Sequence, residues 1–321
     1  MVDISYICNY MNIQQFKYVL AVVDLKNFEA ASERCFVTQS TLSTMISRFE
    51  DEIDVRIFNR KTKPVSITLE GEQIINRLRI VIHEVESLKN VIQELKGEMV
   101  GELRIGVIPT VAPYLLPLFL TKFAGRFPKI NIVIKEMTTS LIQTSLKERT
   151  LDIGLLAVPL EDDELLEQEL YSEPFLVYDC RDKKSEYKIS INNLDYSKLW
   201  LLQEGHCLRT QIFQICELSN LSAKKNVNFE FESGSMGSLL NFTKASKGIT
   251  IIPYLASFDL SLEDKRNIIE FIQPTPVRTI GLLTHKFFVK KQLAKVLQEI
   301  IQESVRDLIP KVNTSKVISP I

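Results

Sequence analysis

Apolar residues first recur at helical spacing over 13–24, in Ile13, Phe16, Val19, Leu20 and Val23. A turn at Asp24 to Asn27 separates this stretch from Phe28 to Cys35, where Ala30 and Ala31 allow a second short helix to pack closely. Past Phe36-Val37, a third helix opens at Thr38, a residue suited to capping, and runs to Glu50. Leu42, Ile46 and Phe49 make its apolar side. From Leu69 to about Lys96 the pattern is helical without a break. Ile74, Leu78, Val81, Val85, Leu88, Ile92 and Leu95 alternate four and three residues apart, which predicts a two-helix coiled coil and so a dimer. Gly97 and Gly101 end this helix.

Beyond it, strand and helix patterns alternate. Strands are expected at 102–108, 130–136, 151–157, 175–178, 199–202, 227–231, 249–252 and 278–283. Helices are expected over 113–127, 139–148, 235–247 and 291–308, and the second unit also takes in the 207–218 segment. This alternation predicts parallel α/β sheets in two subdomains that face a cleft, with the chain crossing twice between them. The polar tail after Pro310 shows no pattern.

The third helix presents Gln39, Ser40, Ser43, Thr44, Ser47 and Arg48 opposite its apolar side. These are short hydrogen-bonding side chains with one cation, a surface suited to base edges in a major groove. Arg56, Arg60, Lys61 and Lys63 surround Phe58 and Pro64 like a basic wing placed to touch phosphates. Net charge does not strengthen this picture: the chain carries a formal −1, and residues 1–72 hold eight Lys/Arg against ten Asp/Glu. Pattern alone leaves DNA binding and an ordinary helical domain equally open.

The 321 residues, 45 % hydrophobic and 25 % charged, have an ordinary globular composition for two or three domains. No basic-then-apolar leader opens the chain, and the uncharged run 107–120 is broken by Pro109, Pro113 and Pro117, so a cytoplasmic protein without membrane spans is expected. Residues 1–10, ahead of Met11, read as an extension with no structural role. Five cysteines at irregular spacing form neither a disulfide framework nor C-x-x-C metal pairs, so no metal and no cofactor is expected.

One stretch carries reactive chemistry. In Gly205-His206-Cys207-Leu208-Arg209-Thr210-Gln211 a thiol sits beside an imidazole and a guanidinium, which together favour a low-pKa thiolate. Cys216 follows nine residues later, and a second thiol can resolve an oxidised first one. A helix would hold the two Cα atoms roughly 13 Å apart on opposite faces. A disulfide needs them within about 7 Å, so the segment would have to unwind. From spacing alone, a structural role for both cysteines is the commoner reading. Cys8, Cys35 and Cys180 read as inert.

Ala30-Ala31, Val37-Thr38-Gln39-Ser40-x-Leu42-Ser43, Ile46, Phe49-Glu50 and Phe58-x-Arg60 together resemble the winged helix-turn-helix of the LysR-type transcriptional regulators. The resemblance implies a winged helix-turn-helix DNA-binding domain at 1–68, a linker and dimerisation helix at 69–97, and a two-subdomain, periplasmic-binding-protein-like α/β regulatory domain at 98–321. Subdomain I would take about 101–172 and 274–310, and subdomain II about 173–273. The implied DNA contacts are Thr38, Gln39, Ser40, Ser43, Thr44, Ser47, Arg48, Arg60 and Lys63.

The cysteine stretch, Ile108-Pro109-Thr110-Val111-x-Pro113-Tyr114 and Arg278-Thr279-Ile280-Gly281-Leu282 are similar to the peroxide-sensing, OxyR-like branch of that family. That similarity implies a redox-active pair, with Cys207 as peroxidatic thiolate and Cys216 as resolving thiol. Thr110, Thr139, His206 and Arg209 would line the peroxide pocket. It implies a regulator of oxidative-stress genes rather than an enzyme. Its partners would be double-stranded DNA, a second copy as homodimer or tetramer, RNA polymerase and a thiol-disulfide reductant. Three positions depart from the branch pattern: Thr210 replaces an acidic residue, and Gln214-Ile215 replaces a small-aromatic pair. The alternative is a LysR-type regulator that binds a small metabolite in the cleft.

Overall fold

The computed structural model describes residues 11–95, 99–182, 188–194, 198–215, 231–312 and 315–320. Cys8, Cys216 and most of the strand expected at 227–231 lie outside them. The chain forms two compact units, one centred on residues up to Ile92 and the other on residues from Gln93.

In the first unit, asparagines set two helix starts. Asn12 and Gln15 cap α1 (Ile13–Leu25) reciprocally, each side chain accepting the other's backbone N–H. Asn27 Oδ1 accepts from Glu29 N at 2.8 Å to start α2 (Phe28–Arg34). Thr38 caps α3 (Gln39–Glu52) through Thr41 N at 3.2 Å. A two-stranded antiparallel wing follows, β1 (Phe58–Asn59) against β2 (Ser66–Ile67), and then the long helix α4 (Leu69–Leu95). The core gathers Phe16, Val19, Val22, Ala31, Leu42, Ile46, Phe49, Ile57 and Phe58.

The structure divides the expected α4 seam. Leu78 is buried in this head core beside Ile75, and Ile74 and Ile82 pack against it. Val81, Leu88 and Ile92 are exposed and Val85 is half-buried, while the Leu95 side chain lies outside the described part. Ile75, Leu78 and Ile82 form a second stripe on the helix, and the four-three repeat alone did not reveal that its N-terminal half has a partner in its own unit.

The second unit begins with β3 (Gly101–Val107), α5 (Ala112–Arg126), β4 (Ile130–Glu136), α6 (Thr139–Lys147) and β5 (Ile153–Val158). β3 pairs in parallel with both β4 and β5. β6 (Leu165–Asp179) is followed by β7 (Lys188–Ile189), α7 (Cys207–Ile215), α8 (Met236–Ala245), β8 (Ile249–Pro253) and β9 (Ile268–Phe271). The chain returns through β10 (Thr275–His285), α9 (Lys291–Val305) and β11 (Ser315–Val317). The first subdomain orders its strands β4-β3-β5-β10-β6, and the second joins through β6. Residues 165–174 of β6 pair with β10, whereas residues 175–179 pair with β8 and β9. Each subdomain has its own apolar core.

Three sequence expectations need correction here. β10 runs antiparallel to β5 and β6, and β8 and β9 run antiparallel to β6, so the sheets are mixed. Alternation of strands and helices suggests crossovers, but antiparallel neighbours need no helix between them, and the pattern cannot tell which strands are adjacent. The tail also has structure: β11 adds to β10 in parallel, and Ile318 beyond it is buried. The expected strand at 199–202 makes only two isolated bridges, Leu199 with Ile249 and Leu202 with Ser233. Among the described residues no helix is long and apolar enough to cross a membrane.

Glu50 holds the head together from beneath α3. It is 1 % exposed; Oε1 accepts from Ile57 N at 2.8 Å and Phe58 N at 3.1 Å. Replacing Glu50 with Ala strands two buried N–H groups. Chemical denaturation should then show a loss of about 2–6 kcal/mol, since each unmatched donor costs about 1–3 kcal/mol.

Candidate functional site

The exposed face of α3 carries the side chains expected to read DNA. Thr38, Gln39, Ser40, Thr44 and Arg48 are exposed, and Ser43 and Ser47 are half-buried. Thr38 is occupied as the cap, with its hydroxyl against Ser40 Oγ at 3.0 Å and Thr41 Oγ1 at 2.8 Å. Lys63 is exposed on the wing. Arg60 does not stand free there. It donates to Ser43 Oγ and Ser47 Oγ, both at 2.9 Å, and to Glu50 Oε2 at 3.1 Å, and its guanidinium lies 5.1 Å from the Phe28 ring centre. Arg60 therefore braces the wing against α3, and Glu50 takes up part of its charge. Gln39, Thr44, Arg48 and Lys63 remain as the open groups, with Ser40 exposed beside its contact to the cap.

The second site lies where the two subdomains of the regulatory unit meet. Cys207 is the first residue of α7, a reduced thiol only 7 % exposed. Its side chain belongs to the core of the first subdomain, with Val107, Val111 and Ile142, while Leu208, Ile212 and Ile215 of the same helix belong to the second. Gly205, at φ 89°, makes the left-handed turn into the helix. Thr139 opens α6, which sits tightly on the sheet; a side chain at Gly154 would meet Ile142 at 2.6 Å. The N-termini of α6 and α7 thus meet at the Cys207 thiol.

Burial pushes the Cys207 thiol up from its ordinary range. Against it work the Arg278 charge, the Thr139 hydroxyl, and the backbone N–H groups of Leu208 and Cys207. Thr139 Oγ1 is buried beside the thiol without forming a regular hydrogen bond. The low-pKa thiolate expected from flanking cations is thereby corrected. His206 is buried, and burial lowers its imidazole, which is therefore neutral near pH 7. Arg209 turns away: Nη1 donates to Leu202 O at 2.9 Å, and the guanidinium lies 5.2 Å from the Phe213 ring centre. Neighbours in sequence are not the thiol's neighbours in charge.

The effective cation comes from β10. Arg278 is 1 % exposed, and its Nε and Nη2 donate to Glu173 Oε1 at 2.9 and 2.8 Å. Its Nη1 donates to Thr110 Oγ1 and its Nη2 to Thr110 O, both at 3.1 Å. Glu173, facing it across the β6–β10 ladder, accepts from Leu255 N at 2.8 Å. Thr110, Thr139, Cys207 and Arg278 are thus gathered at one place. Arg278 and Glu173 were not singled out as site residues from the sequence. The available signal was a charge inside an apolar strand pattern, since ionised side chains are almost never fully buried unless paired. Among the described residues no group of three or more His, Cys, Asp and Glu side chains could hold a metal ion.

Residues 13–72 match the model of the bacterial regulatory helix-turn-helix protein, lysR family, and residues 96–306 that of the LysR substrate binding domain. The chain belongs to the LysR family. Within this family it is OxyR-like. It is 34 % identical to the DNA-binding transcriptional dual regulator OxyR of Escherichia coli K12 over 85 % of this chain and 89 % of that protein. A hydrogen peroxide-inducible genes activator of Dickeya chrysanthemi is 32 % identical over 85 % of this chain and 89 % of that protein. The structure of a full-length OxyR cysteine-to-aspartate variant from Pseudomonas aeruginosa superposes with a TM-score of 0.74. It is 26 % identical and covers 91 % of this chain and 98 % of that one.

In this LysR-family protein, Arg278→Met removes the charge that opposes burial at Cys207, so the thiol shifts further up. Alkylation of Cys207 at a given pH should slow, and its pH profile should move to higher pH. Leaving Glu173 buried and unpaired should also lower stability by about 3–5 kcal/mol. Scoring the alkylation profile below the unfolding midpoint separates the two effects.

Proposed function

We propose that this chain is a DNA-binding transcriptional regulator that senses hydrogen peroxide through a reversible Cys207–Cys216 disulfide and controls oxidative-stress defence genes. The observation that carries this reading is the enclosure of one reduced thiol by Arg278, Thr139 and the N-terminus of α7, in a chain whose relatives include hydrogen peroxide-inducible gene activators.

The resting thiol is protonated, and the pocket acts when the proton leaves. The Cys207 thiolate attacks one peroxide oxygen as the O–O bond breaks, forming a sulfenic acid and hydroxide, which takes a proton to become water. Arg278, the Thr139 hydroxyl and the backbone N–H groups stabilise charge on both the sulfur and the departing oxygen. Thr110 accepts from Arg278 and keeps its own O–H to donate to a peroxide oxygen. Neutral His206 can carry a proton without competing for the anion. The Cys216 thiol then attacks the Cys207 sulfur, a second water leaves, and two thiols have given two electrons to one peroxide. A thiol-disulfide reductant reverses the step.

Output runs through the head. Gln39, Ser40, Thr44 and Arg48 read base edges, while Lys63 contacts phosphate. Val81, Val85, Leu88 and Ile92 of α4 form the dimer stripe, which places two heads on a two-fold site. Tetramer formation and contact with RNA polymerase follow the family pattern.

Peptide mapping with blocked thiols after one equivalent of peroxide should find Cys207 joined to Cys216. In Cys216→Ser a dimedone-reactive sulfenic acid should accumulate at Cys207. A free Cys207 beside an unaltered Cys216 would sink the disulfide, and a Cys207→Ser chain with intact induction would favour a metabolite-responsive regulator. For the head, Arg48→Ala should weaken specific DNA binding roughly tenfold or more, within the 1–3 kcal/mol typical of a good base contact. Unchanged affinity in a gel-shift titration would show that α3 is oriented differently.

A further inference from the structure

The C-terminal residues end beside the thiol helix. β11 lies along β10 with Val317 opposite Val277, and Ile318 N continues the ladder by donating to Val277 O at 2.9 Å. From its other side, Ile318 O accepts from Gln211 Nε2 of α7 at 2.9 Å. Gln211 is 0 % exposed and Ile318 2 %, and Ile318 shares the second core with Leu208, Ile212 and Ile215. The remaining polar atom of Gln211, Oε1, is buried with no partner among the described residues. The side chain's hydrogen bonding there is thus directed to the tail. One tail residue ties α7 to β10, one position before Arg278.

We propose that residues 315–318 are a positioning strap that holds α7 in its helical, reduced arrangement and engages that arrangement alone. The proposal rests on the Cys207–Cys216 reading. Gln211 lies between the two thiols, four residues after Cys207 and five before Cys216. A helix keeps those positions roughly 13 Å apart. The sulfurs therefore meet only after this stretch unwinds, and unwinding displaces Gln211 from Ile318 and takes Leu208 and Ile212 out of the core they share with it. An interaction present in one state alone shifts the equilibrium toward that state. The strap thus opposes disulfide closure and favours reduction, which raises the midpoint potential of the pair. The first step at Cys207 is set by Thr139, Arg278 and the helix N-terminus, and Cys207 packs in the first core whereas the Ile318 side chain packs in the second.

Hydrogen exchange on the full chain tests this directly. The Ile318 amide should be protected in the reduced protein and should exchange at least about tenfold faster after oxidation. Equal protection in both forms overturns the proposal. In Ile318→Ala, and in a chain ended after residue 314, the disulfide equilibrium should shift about tenfold toward the oxidised form. For a two-electron couple that is a midpoint about 30 mV more negative in glutathione buffers. In Ile318→Ala the second-order rate of Cys207 oxidation by peroxide should stay at the parent value. A lowered melting temperature in both redox forms with an unchanged midpoint would make the tail merely structural. If the shortened chain does not fold, Ile318→Ala and the exchange measurement carry the test. Absence of any disulfide in the unaltered chain overturns the redox reading and the strap with it.

Discussion

The buried Arg278–Glu173 pair is the interaction on which the regulatory unit depends. It sits at the rung of the β6–β10 ladder where β6 leaves one subdomain for the other. Thr110 of the first subdomain and the Leu255 amide, just past β8 in the second, complete its hydrogen bonds. A charge pair so enclosed persists only when its remaining donors and acceptors are matched, so its geometry is narrowly fixed. That constraint serves two ends. It joins the subdomains at their crossing, and it presents a permanent cation to a thiol that burial would otherwise leave inert.

The head uses a buried charge in a comparable way. Glu50 receives the backbone of the turn into the wing and also holds Arg60, which in turn occupies two serines on the polar face of α3. A face that looks uniformly polar in sequence is therefore divided into groups that shape the domain and groups left open. Near-neutral net charge is compatible with DNA binding here because the acidic excess includes a carboxylate, Glu50, turned inward.

Local order was legible in the sequence wherever short-range rules govern it. Apolar spacing located α1 to α4, Thr38 announced its cap, and alternation located β3, β4, β5 and the helices between them. Non-local pairings were not legible. Nothing in a strand's own residues says that β10 will lie antiparallel between β5 and β6, or that Arg278 will find Glu173 across 105 positions. The α4 stripe failed at Leu78 for the same reason: an apolar face signals a partner but not which one. Charge near Cys207 was misjudged because adjacency in sequence stood in for direction in space. Arg209 points to a carbonyl, while the cation that matters arrives from a distant strand.

Cys207 packs into one core while the helix that follows it packs into the other. Each subdomain therefore contributes to a joint that one side chain closes. Pulling that side chain out leaves an apolar gap in the first core, with a penalty on the order of 1–2 kcal/mol that persists for as long as the thiol is engaged elsewhere. In the proposed Cys207–Cys216 switch the oxidised arrangement carries its own restoring force: once the sulfur is released, refilling the gap favours the reduced packing.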